Sequence, residues 1–311
     1  MPAFSFNDAF LHFMRTEGPS GFFWKYFLSY IAVMGLIFGV TFFVYMSAFI
    51  PFFTAIESGA EPEPEQVLGF MLPMFGIILL FIPVYVVATS MFEAAALRRY
   101  IRKDGFSLGF GADELRVLGV MLIWFGAIVL AYIAFFLLFF LAAIPIALTG
   151  SDGAPPLGLF ILIPVFMLVF GIAALFFGVR LSPASAITIR DRKVQFTSAW
   201  RVTRNRFWAM FGAFFLIYII SYVAQIVVQG VMLGGFGVAA ASNPDIFESD
   251  DVSAVLGLLS DPTLLITSII GGLLLVGIYG FMHFAYLGIT SKAALTDPDW
   301  QGDLSTADVF E

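Results

Sequence analysis

The sequence predicts an all-α, polytopic membrane protein: six transmembrane helices as three helical hairpin repeats, each preceded by a cytoplasmic interfacial amphipathic helix. Three observations predict it. Of the 311 residues, 60% are hydrophobic, 39 are Phe and only 12% are charged, whereas soluble domains average roughly a quarter charged residues. The apolar residues gather into six blocks, at roughly 22–53, 67–92, 117–148, 157–179, 207–240 and 263–289. A nearly uncharged block of about 18 residues or more is long enough to cross the hydrocarbon layer. Finally, the loop charge alternates along the chain, as a multi-pass topology requires.

The blocks read as helices because they lack the period-two alternation of a lipid-facing strand. A continuous apolar block in lipid must satisfy its backbone groups within itself, which a helix does. Several blocks exceed bilayer length, so tilts or kinks are expected, and Pro73, Pro83 and Pro164 fall inside blocks 2 and 4.

All 15 Lys and Arg lie before or at the start of block 1, between blocks 2 and 3, between blocks 4 and 5, or after block 6. The other three connections hold none, but carry ten acids: Glu57, Glu61, Glu63, Glu65, Asp152, Asp245, Glu248, Asp250, Asp251 and Asp261. The Lys/Arg bias of short loops sets orientation. It predicts a multi-pass protein of a bacterial cytoplasmic (inner) membrane with N- and C-termini in the cytoplasm. The net charge of -7 therefore reflects sorting by side, and nucleic acid is not an expected partner. The first block is too long for the apolar region of a cleaved signal and reads as a retained helix. With no Cys, disulfides, thiolate metal sites and Cys nucleophiles are excluded.

Three segments share a form: 6–31, 110–133 and 196–219. Each begins with Phe (Phe6, Phe110, Phe196), then has a short amphipathic stretch, a Trp (Trp24, Trp124, Trp208) and a Tyr-Ile pair (Tyr30, Tyr132, Tyr218). The simplest reading is one unit used three times, over about 6–92, 110–179 and 196–289, within a single transmembrane domain of residues 1–295. Matching tryptophans are then expected at similar depth. The acidic segment 296–311 is expected to be a disordered cytoplasmic tail, and a short amphipathic helix is expected at 252–260.

The interfacial helix is clearest in the third copy. At about 100° per residue, Trp200, Thr203, Phe207 and Phe211 share one face, with Arg201, Arg204 and Asn205 beside them. An apolar stripe next to a basic one lies in the headgroup layer. Arg201, Arg204 and Arg206 either enforce topology alone or also bind anionic lipid headgroups; a membrane-protein partner is the third alternative.

Polar groups inside the blocks are few. Ser221, Gln225 and Gln229 form an i, i+4, i+8 stripe on block 5, which either hydrogen-bonds a neighbouring helix or lines a wet cavity. His283 in block 6 is an intramembrane ionisable residue and so a functional candidate. Glu93, at the end of block 2, is expected to be interfacial and paired near Arg98, with a contact to His283 the alternative. His12 is expected to face solvent or headgroups. "GLIFG" (35–39) and "GVMLG" (230–234) match small-xxx-small spacing. No phosphate loop, zinc-protease motif, nucleophile elbow or dinucleotide fingerprint is present, so neither an enzyme nor a cofactor is expected.

The segment "VRLSPASAITIRDRKVQFTSAWRVTRNRFWAMFGAFFL" (179–216) resembles the bacterial polytopic family of the glycerophosphoryl diester phosphodiesterase membrane domain and the YciC-like inner-membrane proteins. Ser198, Trp200, Thr203, Arg204, Phe207 and Trp208 carry the likeness, over about 38 residues. The resemblance implies a helical membrane module. The phosphodiesterase activity of that family belongs to a separate soluble barrel that this chain lacks, so the activity is not carried over. The expected function is a non-enzymatic envelope or lipid-associated membrane component. The alternative is a small transporter or permease with a polar cavity near Gln225, Gln229 and His283.

Overall fold

A computed structural model describes residues 4–16, 18–57, 64–148, 157–243, 261–298 and 300. Every regular element among them is helical. The short α1 (Phe6–Phe10) and α2 (His12–Arg15) lead into α3 (Phe22–Glu57), followed by α4 (Pro64–Arg102), α5 (Ala112–Leu148) and α6 (Leu157–Leu181). Two short helices, α7 (Ala184–Asp191) and α8 (Ser198–Val202), then precede α9 (Phe207–Ala241) and α10 (Pro262–Leu295). Six helices are long and apolar enough to cross a membrane, so this is a multi-pass membrane protein. Along them, large side chains such as Phe43, Leu79, Leu130 and Leu233 are largely exposed, as lipid-facing residues must be. Some hydroxyls within the spans bond to their own helix, as Thr41 Oγ1 donates to Ile37 O at 2.8 Å and Ser90 Oγ to Val87 O at 2.7 Å, which satisfies these donors without a second helix.

Helix ends follow local chemistry. Ser5 caps α1, its hydroxyl accepting from the Asp8 N–H at 3.1 Å. Lys103 (φ 61°) and Arg192 (φ 53°) take the left-handed conformation that ends α4 and α7.

The three-copy expectation needs correction at its second member. No separate helix precedes α5. The Gly111 N–H is held by Glu114 Oε2 at 2.9 Å, so α5 starts there and runs unbroken to Leu148. Copies 1 and 3 carry breaks that copy 2 lacks, at Gly18-Pro19-Ser20-Gly21 and at the turns of Thr203–Arg206. The marker residues diverge too. Trp24 and Trp208 open their helices, whereas Trp124 is the thirteenth residue of α5, about 18 Å along its axis from the start. Tyr30 is buried, while Tyr132 and Tyr218 are half exposed. The expected helix at 252–260 and most of the acidic connections lie outside the described residues.

The chain divides into two compact units. One comprises Phe13–Gly109 and Phe214–Gly288. Its core is aromatic and lies at the basic ends of its helices. Phe22, Tyr26, Phe92, Tyr100 and Phe284 are almost fully buried, with the Tyr26 and Phe284 ring centroids 5.0 Å apart and Tyr26 and Phe92 5.6 Å apart. Ala94, Ala95 and Ala96 are buried beside them; their small side chains let helix backbones approach. Tyr100 donates to Phe284 O at 2.9 Å. The glycines that permit close approach are not those of the small-xxx-small motifs. A methyl on Gly230, Gly234 or Gly39 would meet nothing, and one on Gly35 would press on Leu273 at 3.2 Å. One on Gly235 would collide with Thr267 at 2.3 Å, on Gly271 with Met232 at 2.4 Å, and on Gly280 with the Tyr30 ring at 2.7 Å.

The other unit comprises Met1–His12, Phe110–Ala213 and Ile289–Glu311. At its centre is α7, which lies between the fourth and fifth apolar blocks. Ala184, Ala186, Ile187, Thr188 and Ile189 are completely buried, as are Val117 and Val120 of α5 and Ala199 of α8. Thr188 Oγ1 accepts from the Gln195 N–H at 3.0 Å, fixing the turn between α7 and α8. Tail disorder from residue 296 is also corrected at its start, because Thr296 and Asp297 are buried. Asp297 meets Arg190 at 3.4 Å, and Trp300 lies 5.0 Å under the same guanidinium.

Candidate functional site

The expected intramembrane polar residues separate into a contact that joins helices and a cavity beside it. Tyr26 is on the second turn of α3, Glu93 near the basic end of α4, and His283 on α10. His283 Nε2 faces Glu93 Oε2 at 3.7 Å, and its Nδ1 lies 3.3 Å from the Tyr26 hydroxyl. The Tyr26 hydroxyl is thus within hydrogen-bond reach of Nδ1, while Glu93 faces Nε2 from beyond that reach. The expected pairing of Glu93 near Arg98 is corrected: Glu93 turns to His283, while an Arg98 guanidinium N–H donates to Ser107 O at 3.1 Å.

A cavity of about 640 Å³ opens next to this group, lined by Tyr30, Tyr85, Tyr218, Tyr279 and Tyr286 with Thr89 and His283. The Thr89 hydroxyl is buried without a hydrogen-bond partner. Gln225 is linked to the wall, accepting from the Tyr279 hydroxyl at 3.4 Å. Ser221 is buried with its hydroxyl unpartnered, while Gln229 is exposed and does not line the cavity. The i, i+4, i+8 stripe thus does not act as one surface.

The arginine group also divides. Arg201 and Arg204 are exposed. Arg206 is not a headgroup contact of the expected kind. Its Nη1 donates to Ala293 O at 2.8 Å and Thr296 Oγ1 at 3.0 Å, and its Nη2 donates to Thr296 O. Ala293 is in the last turn of α10 and Thr296 follows its end, where a cation satisfies otherwise unpaired acceptors.

Sequence reading missed Arg180, the penultimate residue of α6. Its Nε and Nη1 are buried with no hydrogen-bond acceptor. Three rings surround it, Trp200 at 5.1 Å, Phe176 at 5.5 Å and Phe207 at 5.9 Å. The Thr203 hydroxyl donates to Arg180 O at 3.0 Å, which pins α8 against the end of α6. Arg180 and Arg204 together line a groove of about 810 Å³ with Asn205, Phe176, Phe207 and Trp208. Stacking on aromatic faces returns about 0.5–2 kcal/mol, less than the several kcal/mol lost by a cation withdrawn from water. The spacing Phe176–Arg180 was the one sequence signal for this site.

Compared with protein-family models, with curated proteins and with solved structures, the chain matches none. The functional reading therefore rests on the residues themselves.

His12, expected to face solvent or headgroups, is half-buried. Burial, and secondarily the Lys292 ammonium, lower its imidazole from 6.5 to about 4, with Asp8 opposing. The unfolded chain therefore takes up a proton between these values that the folded chain refuses. The stability associated with this group is fully present above about pH 6.5 and falls as pH drops toward about 4. Thermal melting between pH 7.5 and 4.5 is expected to show a smaller loss in His12→Asn than in the unaltered protein. Equal losses would place His12 in solvent.

Proposed function

We propose that this protein is a non-enzymatic, lipid-associated component of a bacterial cytoplasmic membrane, with the basic ends of its helices in the cytoplasm. The observation that carries the reading is the surface around α8. Exposed Trp200 and Trp208 lie there with exposed Arg201 and Arg204, a combination that suits the headgroup layer, where indole and guanidinium are both favoured. The sorting of every Lys and Arg to one side supports the orientation. The likeness of residues 179–216 to the YciC-like membrane family supports a membrane module without its own chemistry. Where titratable groups do converge, His283 lies between Glu93 and Tyr26 of neighbouring helices, an arrangement that supports a helix-joining role.

The test is lipid retention. Protein extracted from its native membrane in a mild detergent and exchanged through lipid-free detergent is expected to keep anionic phospholipid, detected by native mass spectrometry. Protein that emerges free of lipid would overturn the reading. A permease reading draws on the tyrosine-lined cavity of about 640 Å³. It requires solute uptake by proteoliposomes that is lost when Tyr218 and Tyr279 are replaced together by Phe.

A further inference from the structure

We infer that the groove at the end of α6 seats the phosphate of an anionic phospholipid, with Arg180 and Arg204 as its two cations. This rests on the lipid-associated reading and adds to it a site, a ligand chemistry and a residue, Arg180, that topology alone does not require.

The argument begins with charge. Arginine keeps its charge in a protein, and among the described residues no carboxylate lies within ion-pair distance of Arg180 or Arg204, nor does any acceptor bond to either side chain. Three other arginines of this unit are differently placed. Arg116 meets Asp113 at 2.7 Å, Arg190 meets Asp191 at 2.8 Å, and Arg206 is taken up by the end of α10. Arg180 and Arg204 instead line one groove together. An Arg that merely reached for the membrane surface would hold its whole head in water or headgroups. Arg180 has Nε and Nη1 shut off among three rings, which fixes the plane of the guanidinium. That leaves Arg180 Nη2 as the nitrogen open to a ligand, and Nη2 and the exposed Arg204 guanidinium, on the same groove, can each donate a charge-assisted bond to a phosphate oxygen. Asn205 adds an amide to the same rim.

The rest of the groove identifies the source of the phosphate. Ile172, Leu175 and Phe176 line it, and residues 172, 176 and 180 stand four apart on one face of α6. That stripe runs about 12 Å from Arg180 toward the membrane interior, close to the depth of one leaflet, about 15 Å. Phe211 and Trp208 form the opposite wall. A free phosphate would leave this apolar trough empty, whereas an acyl chain fills it.

The test uses the full chain in mild detergent, stripped of lipid and titrated with phosphatidylglycerol, phosphatidylcholine or inorganic phosphate, read by tryptophan fluorescence and thermal shift. Phosphatidylglycerol is expected to bind with a change in both signals, and inorganic phosphate to produce neither. R204Q, at an exposed position, is expected to lower phosphatidylglycerol affinity about fivefold. R180Q is expected to lower it at least as much, and R116Q not at all. Should R180Q fail to fold, R180K decides for that position: it keeps the charge but not the planar fork, and weaker binding is expected. If phosphatidylglycerol binds yet R204Q and the Arg180 variants bind it as the unaltered protein does, this site is wrong while the lipid-associated reading stands. If phosphatidylglycerol binds no better than phosphatidylcholine, the anionic-lipid reading falls as well. Saturation by inorganic phosphate alone would assign the site to a soluble anion and overturn the lipid source.

Discussion

Replacing Arg190 by Ala is expected to destabilise the protein by about 3 kcal/mol, seen as a lower melting temperature in detergent. The side chain is 3% exposed and faces Asp297, 2% exposed, at 3.4 Å. It also donates to Asp191 at 2.8 Å and to Ala294 O. Truncation withdraws the cation while the Asp297 carboxylate stays buried. Breaking a buried pair from one side costs about 3–5 kcal/mol, and the lower end applies because Arg206 still acts electrostatically with Asp297. Asp297→Asn should cost less, since Arg190 keeps Asp191 and Ala294 O. The double variant should then be more stable than the sum of the two losses implies. An R190A protein that melts with the unaltered one would show that Asp297 and Trp300 do not dock on α7.

Phe284→Ala is expected to cost a similar amount, about 3 kcal/mol, in the unit built from α3, α4 and the parts of α9 and α10 within it. Phe284 is 1% exposed, and its ring lies 5.0 Å from both Tyr26 and Tyr100 and 6.2 Å from Phe22. Packing rather than water exclusion dominates between membrane helices, so the loss comes from contacts to these rings, and the low end of the usual range for Phe truncation applies. Leu233→Ala, at a side chain 71% exposed, should change the melting temperature little. Equal effects at the two positions would mean that the aromatic cluster is not the core.

The six spans were legible because lipid imposes an unambiguous rule on composition, and no local chemistry competes with it. What escaped was the packing at the basic ends. The stretch Ala184–Asp191 is short and mixes Ala, Ser and Thr with two isoleucines. Such a segment reads equally as a surface connector or as a buried helix, and only tertiary contacts decide. The second interfacial helix was inferred from likeness to its neighbours; the missing signal was a break, since nothing between Ala112 and Trp124 stops a helix.

At the candidate sites, chemical type was legible and partnership was not. Arg201, Arg204 and Arg206 look alike in sequence, yet Arg206 is claimed by the end of α10, 87 to 90 residues away. Arg180 closes an apolar block as many topology-setting arginines do; Trp200 and Phe207, which enclose it, follow 20 and 27 residues later. The sequence offers a Glu93–His283 contact only as the alternative to pairing near Arg98, because the contact depends on how α4 and α10 pack.

The central claim is a six-span membrane protein whose basic connections all lie in the cytoplasm. It is tested most directly by fusing, in turn, a reporter active only outside the cytoplasm and one active only within it. Fusions at Glu63, Asp152 and Asp250 are expected to report the outside, and fusions after Lys103 and Lys193 the cytoplasm. A cytoplasmic signal at any of the first three would contradict the topology.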